Sequence, residues 1–390
     1  MNDLFAQLAK RLATCPDSII LESADEQLTT RELDSSIQSF ADSLRAADIK
    51  RLSLLAGNSP AWVIADLACQ LADICLVPLP HFFSDTQLSH CIENAGIDAV
   101  LTDDPIRLSK ITPGHVVPFE CGEKYHMMLS SLSSVPQQEL PAGTRKITFT
   151  SGSTGAPRGV CLNFAQQLCV AHALAEAIGI ANPRHLCLLP LSTLLENIGG
   201  VYVPLLTNGS VIIPPDADTG LGGSASLNIP IMLQALVRLQ PTSIILLPQM
   251  LVGLVAAIED GWTPPTSLKF VAVGGGKVST ALIYLAHNAG LPVYEGYGLS
   301  ETASVTCLNR PGCNLPGSAG KPLAHVTVQI EDNEVIVSGN TFLGYLDDQD
   351  NWYPRSVATG DLGHFDEQGF LYISGRKKCT SSKHCGLSAT

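Results

Sequence analysis

The residue types best suited to chemistry fall in three short segments. The first, 147–160, reads ITFTSGSTGAPRGV: an apolar run ends in Thr150, Ser151, Gly152, Ser153, Thr154 and Gly155. Small and hydroxylated residues let a backbone close on a ligand, and glycines can aim several N–H groups at one point, which suits phosphate oxygens. A Ser/Gly-rich surface turn has the same composition, so this stretch alone leaves both alternatives open. It is not a Walker A loop, which needs Gly-Lys-Ser/Thr where this chain has Gly155-Ala156-Pro157-Arg158. The second segment, YEGYGLSETAS at 294–304, gathers Tyr297, Gly298, Ser300 and Glu301 into one turn after a strand. The third, ATGDLGHFDEQGFLYISGRKK at 358–378, puts Asp361 on a turn and Arg376 across a hairpin from it. A glycine turn, VAVGGGKV at 271–278, closes another strand with Gly274, Gly275 and Gly276. It lacks the GxGxxG of a dinucleotide fold, since 274–279 reads GGGKVS.

The elements around these segments must hold them. In LTTRELDSSIQSFADSLRAA, Thr29 and Glu32 have capping-box spacing and Leu33, Ile37, Phe40 and Leu44 share one face, which predicts a helix. RLSLLAG and DICLVPLP predict strands, with a helix between them over 59–71; SDTQLSHCIENAG predicts another helix and DAVLTD another strand. Strands alternating with helices imply mainly parallel sheets covered on both faces. After 160 the alternation resumes: a helix over 164–178, then strands at HLCLLPL, SVIIP, SIILLP and LKFVAVGGG. The stretch 214–228, rich in Gly, Ser and Asp, predicts a mobile surface loop. From 311, HVTVQI, EVIVSG and GFLYISG alternate without helices, which predicts a small β subdomain. The expected fold class is α/β, two mainly parallel sheets packed with helices plus that β subdomain. The expected division is about 1–163, 164–310 and 311–374, with 375–390 a hinge and tail.

Composition narrows the function. The 390 residues are 45% apolar and 15% charged, which favours a large buried interior. A net charge of -13 disfavours a nucleic-acid groove. The 12 cysteines contain no CxxC and predict reduced, mostly buried thiols in a cytoplasmic protein. The most apolar run, 243–258, holds Pro248 and Gln249 and predicts a strand leading into a helix, not a membrane span.

Together the three segments, in this order, resemble the adenylate-forming superfamily of acyl-CoA synthetases, luciferases and peptide-synthetase adenylation domains. The resemblance reaches about residue 378, and TFLGYLDD and GFLYISGRKK look most like its long-chain acyl-CoA synthetase branch. It implies ATP, Mg²⁺ and a carboxylic acid as reactants. The acyl-adenylate they form passes to CoA or to the phosphopantetheine thiol of a carrier protein. It implies that Thr150 to Gly155 hold ATP phosphates, with Thr154 assisting. Arg158 stands where the family usually has Lys, and is either a helper there or a solvated loop charge. Gly274 to Gly276 would lie beside the adenine. Tyr297, followed by Gly298, would stack on the base or pack in the core. Ser300 would donate to the α-phosphate, Glu301 would hold Mg²⁺, Asp361 would accept from the ribose hydroxyls, and Arg376 would contact the ribose or a phosphate.

The family's acyl pocket corresponds to LPLSTLLENIGG, 189–200, where Thr193 replaces the usual His or aromatic residue and Glu196 is the only acid. Without the Asp that pairs with an α-ammonium, a fatty or other lipophilic acid is expected. The family continues past the GRKK hinge into a mobile domain that carries a catalytic Lys, whereas here CTSSKHCGLSAT ends the sequence. The expectation is a core lacking that domain, slow in adenylation and nearly inactive in thioester formation. The alternative is an ATP- and acyl-binding relative without turnover.

Overall fold

The structure is a computed structural model and describes residues 4–24, 26–112, 115–120, 126–132, 138–150, 156–222 and 226–377. The predicted helices form where their caps place them. Thr29 Oγ1 accepts from the Glu32 amide at 3.2 Å and Glu32 accepts from the Thr29 amide at 2.8 Å, opening the helix Thr30–Ala46. Its buried face is Leu33, Ile37, Phe40, Ala41 and Leu44. Ser59 caps Pro60–Leu71, a helix apolar on all sides that buries every residue from Pro60 to Gln70. Burial on all faces is what such a composition requires.

The strands assemble into two large sheets with mainly parallel centres. The eight-stranded sheet runs Gly344–Tyr345, Arg158–Leu162, Lys146–Thr150, Cys75–Pro78, Arg51–Leu55, Ala99–Thr102, His126–Ser131, His115–Glu120. The nine-stranded sheet centres on Arg184–Leu186, Ser243–Leu246, Phe270–Val273 and Val293–Leu299. Ile19–Glu22 and Gln27–Thr29, near the N-terminus, join its far edge through pairing with Ser210–Ile212. At the other edge, Ser304–Leu308 and Lys321–Pro322 turn antiparallel. A separate four-stranded antiparallel sheet is built from Val326–Glu331, Glu334–Gly339, Ser356–Phe365 and Leu371–Arg376.

Two local expectations need correction. The strand in HLCLLPL is short, Arg184–Leu186, with one more bond from the Cys187 amide to Ile212 O at 2.9 Å; the backbone of Leu189 and Leu191 then bonds the Asn58 side chain instead of a strand. Residues 214–228 are not a bare loop: Asp216–Thr219 is helical, and Leu221–Gly222 pairs with Ser226–Leu227. Residues 197–202 form a π-helix, Asn197–Tyr202, inside the segment expected to line the acyl pocket. Single π turns frequently mark functional sites.

Candidate active site

Two side-chain groups are tied to the strand Val293–Leu299, one through Tyr297 and one through the turn that follows it. The first centres on Asp361. Asp361 and Arg376 face each other across the hairpin Ser356–Phe365/Leu371–Arg376. Arg376 Nε donates to Asp361 Oδ1 at 2.8 Å, and the Tyr297 hydroxyl donates to Oδ2 at 2.7 Å. The Asp361 amide is itself held by Thr359 Oγ1 at 3.1 Å. Burial pushes the Tyr297 hydroxyl up from its ordinary range, and the Asp361 charge adds to this. Tyr297 thus stays a neutral donor. A carboxylate offers about four lone-pair sites, so two named donors leave Asp361 room for more.

The second group centres on Glu301, in the short 3₁₀ turn Ser300–Thr302. Its carboxylate is buried, and the Tyr345 hydroxyl donates to Oε1 at 2.7 Å. Arg158 covers Tyr345, its guanidinium 3.7 Å from the ring centre, and reaches Asp347 at 3.3 Å. Burial pushes the Glu301 carboxyl up from the ordinary carboxylate range; the Tyr345 bond and the charges of Arg158 and Arg376 oppose this. Those two arginines belong to the two groups, so one electrostatic field spans the site.

The turn that carries Ser300 and Glu301 has a strict backbone. Gly298 sits at an irregularity in the pairing of Val293–Leu299 with Ser304–Leu308. A Cβ there would strike the Ser304 carbonyl. Ala303 and Ser304 hold φ of 59° and 120°, a conformation side chains rarely adopt. Such strain persists only where its surroundings enforce it and clusters at functional sites. The Glu301 carbonyl accepts from the Phe342 amide at 2.7 Å and ties the turn to the strand that carries Tyr345. On the neighbouring strand Val273 pairs with Glu295, and Gly274 to Gly276 follow it directly. Gly275 takes a φ of 76°, and the Gly274 amide is bound back to Leu246 O at 3.2 Å.

Of the expected phosphate cradle, Thr150 closes the strand Lys146–Thr150 and pairs with Arg158. Ser151 to Gly155 lie outside the described residues. The hinge beyond Lys377 does too. Arg158, left open between helper and loop charge, is the first residue of its strand and is stacked on Tyr345. Tyr345 itself was missed, because it lies 44 residues from Glu301 and no local pattern links them.

A buried apolar cavity lies between one face of the nine-stranded sheet and the helices that cover it. Leu195 and Gly199, from the predicted acyl segment, form one wall; Phe270, Ala272, Val305 and Leu308 form another. Its upper end adjoins the site: Val305 pairs with Gly298, and a Cβ on Gly274 would stand 3.8 Å from Leu195. His185, Cys187 and Glu196 are buried close together, with donor atoms within 4.8 Å. Both nitrogens of His185 are already engaged, by Ser243 and Glu196 at 3.0 Å each, while Glu196 Oε2 is buried without a hydrogen-bond partner among the described residues. A further buried network was not anticipated. Lys146 pairs with Asp66 at 2.9 Å, both essentially inaccessible, while Asn197 and Tyr202 each donate to Asp66 at 2.8 Å. It anchors the π-helix to the first sheet.

Nine cysteines among the described residues are free thiols, six of them buried. No described helix is long and apolar enough to cross a membrane.

A model of the AMP-binding enzyme family matches residues 8–346. A 2-succinylbenzoate–CoA ligase of Bacillus cytotoxicus is 27% identical over 95% of this chain and 78% of its own length. The O-succinylbenzoate coenzyme A synthetase of Bacillus subtilis, solved in complex with ATP and magnesium, superposes with a TM-score of 0.77 at 25% identity, over 95% of this chain and 79% of that one. An anthranilate–CoA ligase bound to anthranoyl-AMP superposes at 0.80 with 17% identity, over 96% and 77%. These relatives give no particular support to the long-chain branch or to fatty-acid metabolism.

Proposed function

The chain belongs to the AMP-binding enzyme family, and we propose that it activates an apolar carboxylic acid with ATP and passes the acyl group to the thiol of CoA. The observation that carries this reading is the arrangement of Asp361 between Tyr297 and Arg376, together with the buried Glu301 and an apolar cavity whose lining residue Val305 pairs with Gly298. It supplies an acceptor for ribose hydroxyls, a carboxylate for a hard cation and an apolar site for the acid.

In the first step a carboxylate oxygen of the acid attacks the α-phosphorus of ATP, and pyrophosphate leaves. In the second, the CoA sulfur attacks the acyl carbonyl, and AMP leaves. Asp361 fixes the ribose, with Tyr297 and Arg376 setting the direction of its lone pairs. Arg158 and Arg376 lower the cost of negative charge gathered at the α-phosphorus as pyrophosphate leaves. Ser300, at the start of the strained turn, would donate to an α-phosphate oxygen. Glu301 fits a Mg²⁺ ligand because it is a buried carboxylate whose Oε1 position is already fixed by Tyr345. That ion would neutralise phosphate charge when bound.

The acid lies with its carboxylate near Gly274 and Gly298 and its body in the cavity. Its chemistry is set by that lining, apolar and without an acidic partner for an α-ammonium. The named relatives are ligases of 2-succinylbenzoate and of anthranilate, both aromatic acids, and the apolar lining admits an aryl group as well as an alkyl chain. The test is product analysis by chromatography. Incubation with ATP, Mg²⁺, CoA and a panel of aryl and alkyl acids should yield AMP and an acyl-CoA. ATP cleavage to ADP, or no acid-dependent AMP from any member, would contradict the reading.

A further inference from the structure

We propose that the far end of the acyl cavity reads a neutral oxygen function, a hydroxyl or a ketone, on the part of the acid most distant from its carboxylate. This rests on the placement of the acid in that cavity. Among the residues that line it, His185 and Ser243 alone carry polar side chains. Both sit at the starts of their strands, where Ser243 pairs with His185 on one side and Phe270 on the other. Phe270 opens the strand Phe270–Val273, which Gly274 follows directly. At about 3.3 Å per residue, the polar end is roughly 13 Å from the glycine turn.

The pair is built so that it can take a ligand. Glu196 Oε1 lies 3.0 Å from His185 Nε2, within hydrogen-bond reach. Nδ1 faces Ser243 Oγ at 3.0 Å. With a neutral ring whose hydrogen is on Nε2, Ser243 donates to Nδ1 and keeps its oxygen lone pairs for a ligand hydroxyl. With a protonated ring, Nδ1 donates to Oγ and the serine hydrogen turns to a ligand ketone. Gly200 completes the arrangement, since a Cβ there would come within 2.7 Å of both Glu196 Oε1 and His185 Nε2. A second carboxylate on the acid is disfavoured, because Glu196 stands directly behind the ring. An acid with no polar end leaves Ser243 its bond to His185 but adds nothing, so discrimination comes from a bond gained.

The test measures kcat/KM for pyrophosphate exchange with decanoic acid, its ω-hydroxy derivative and the matching dicarboxylic acid. Acid binding in the presence of ATP and Mg²⁺ is followed by thermal shift in parallel. The hydroxy acid should exceed decanoic acid by about tenfold, the diacid should be the poorest, and Ser243→Ala should bring the hydroxy-to-plain ratio close to one. The wild-type ratio decides the matter even if the variant does not fold. Exchange with equal efficiency for the plain and hydroxy acids, or a preference for the diacid, overturns the inference while leaving acid activation intact. Exchange with other acids but neither exchange nor binding with these three overturns the placement in the cavity. The absence of exchange with any acid overturns the functional reading itself.

Discussion

Replacement of Asp361 by Ala tests the nucleotide half of the site. This carboxylate accepts from Arg376 at 2.8 Å and Tyr297 at 2.7 Å, and its side chain is 11% exposed. Its remaining acceptor capacity is what the ribose would use. A hydrogen bond to a charged group contributes about 1.5–3 kcal/mol. The lower figure applies, because the partner Arg376 is a third exposed and the hairpin lies at a sheet edge. Two lost bonds then cost about 3 kcal/mol, roughly 150-fold in the dissociation constant for ATP. 2′-Deoxy-ATP can lose only one of them, so its affinity should fall by about tenfold. Titration calorimetry with both nucleotides measures the two losses, and circular dichroism checks that the hairpin persists. Equal losses for the two nucleotides, with the fold intact, would remove Asp361 from the ribose site.

Four further outcomes follow from the same structure. Glu301→Gln should leave the fold intact and slow Mg²⁺-dependent adenylation by about 2.7–4 kcal/mol in activation, read as kcat against magnesium concentration. Gly298→Ala should distort the turn that carries Glu301, since its Cβ meets the Ser304 carbonyl; loss of activity with a lowered Tm is the expected pair. Lys146→Met should destabilise the fold by about 3–5 kcal/mol by leaving Asp66 buried and unpaired. Adding Asp66→Leu should recover part of that loss in denaturant titration. Burial pushes the Glu295 carboxyl up from 4.5 to about 7. The native state therefore holds a proton there that the unfolded chain has released, and stability falls as pH rises from 4.5 through 7. Glu295→Gln should flatten that fall, which is on the order of 3 kcal/mol, in melts across this range.

The parts of the site legible in the sequence were those whose partners lie close along the chain. Asp361 and Arg376 sit on one hairpin, and Ser300, Glu301 and Gly298 share one turn, so spacing alone brings each set together. Tyr345 and Arg158 reach Glu301 only because Gly344–Tyr345 crosses to pair with Arg158–Leu162 in the first sheet. That non-local pairing leaves no periodicity to read. The buried Lys146–Asp66 pair did leave a signal, a single acid in the otherwise apolar helix Pro60–Leu71, but its partner is 80 residues away. Helix positions were legible because caps and apolar faces are local. The length of the strand at 184–186 was not, since its end depends on where the neighbouring ladder stops. The edge strand His115–Glu120 and its neighbour His126–Ser131 escaped for the same reason: His126–Ser131 is defined by pairing with Ala99–Thr102, and His115–Glu120 by pairing with His126–Ser131.

The central claim, acid-dependent adenylation at this site, is tested most directly by exchange of labelled pyrophosphate into ATP. The wild-type chain should catalyse exchange only when both Mg²⁺ and an apolar carboxylic acid are present, and Glu301→Gln should suppress it without abolishing ATP binding. Tight ATP binding with no acid-dependent exchange, or exchange that Glu301→Gln leaves untouched, would contradict the account.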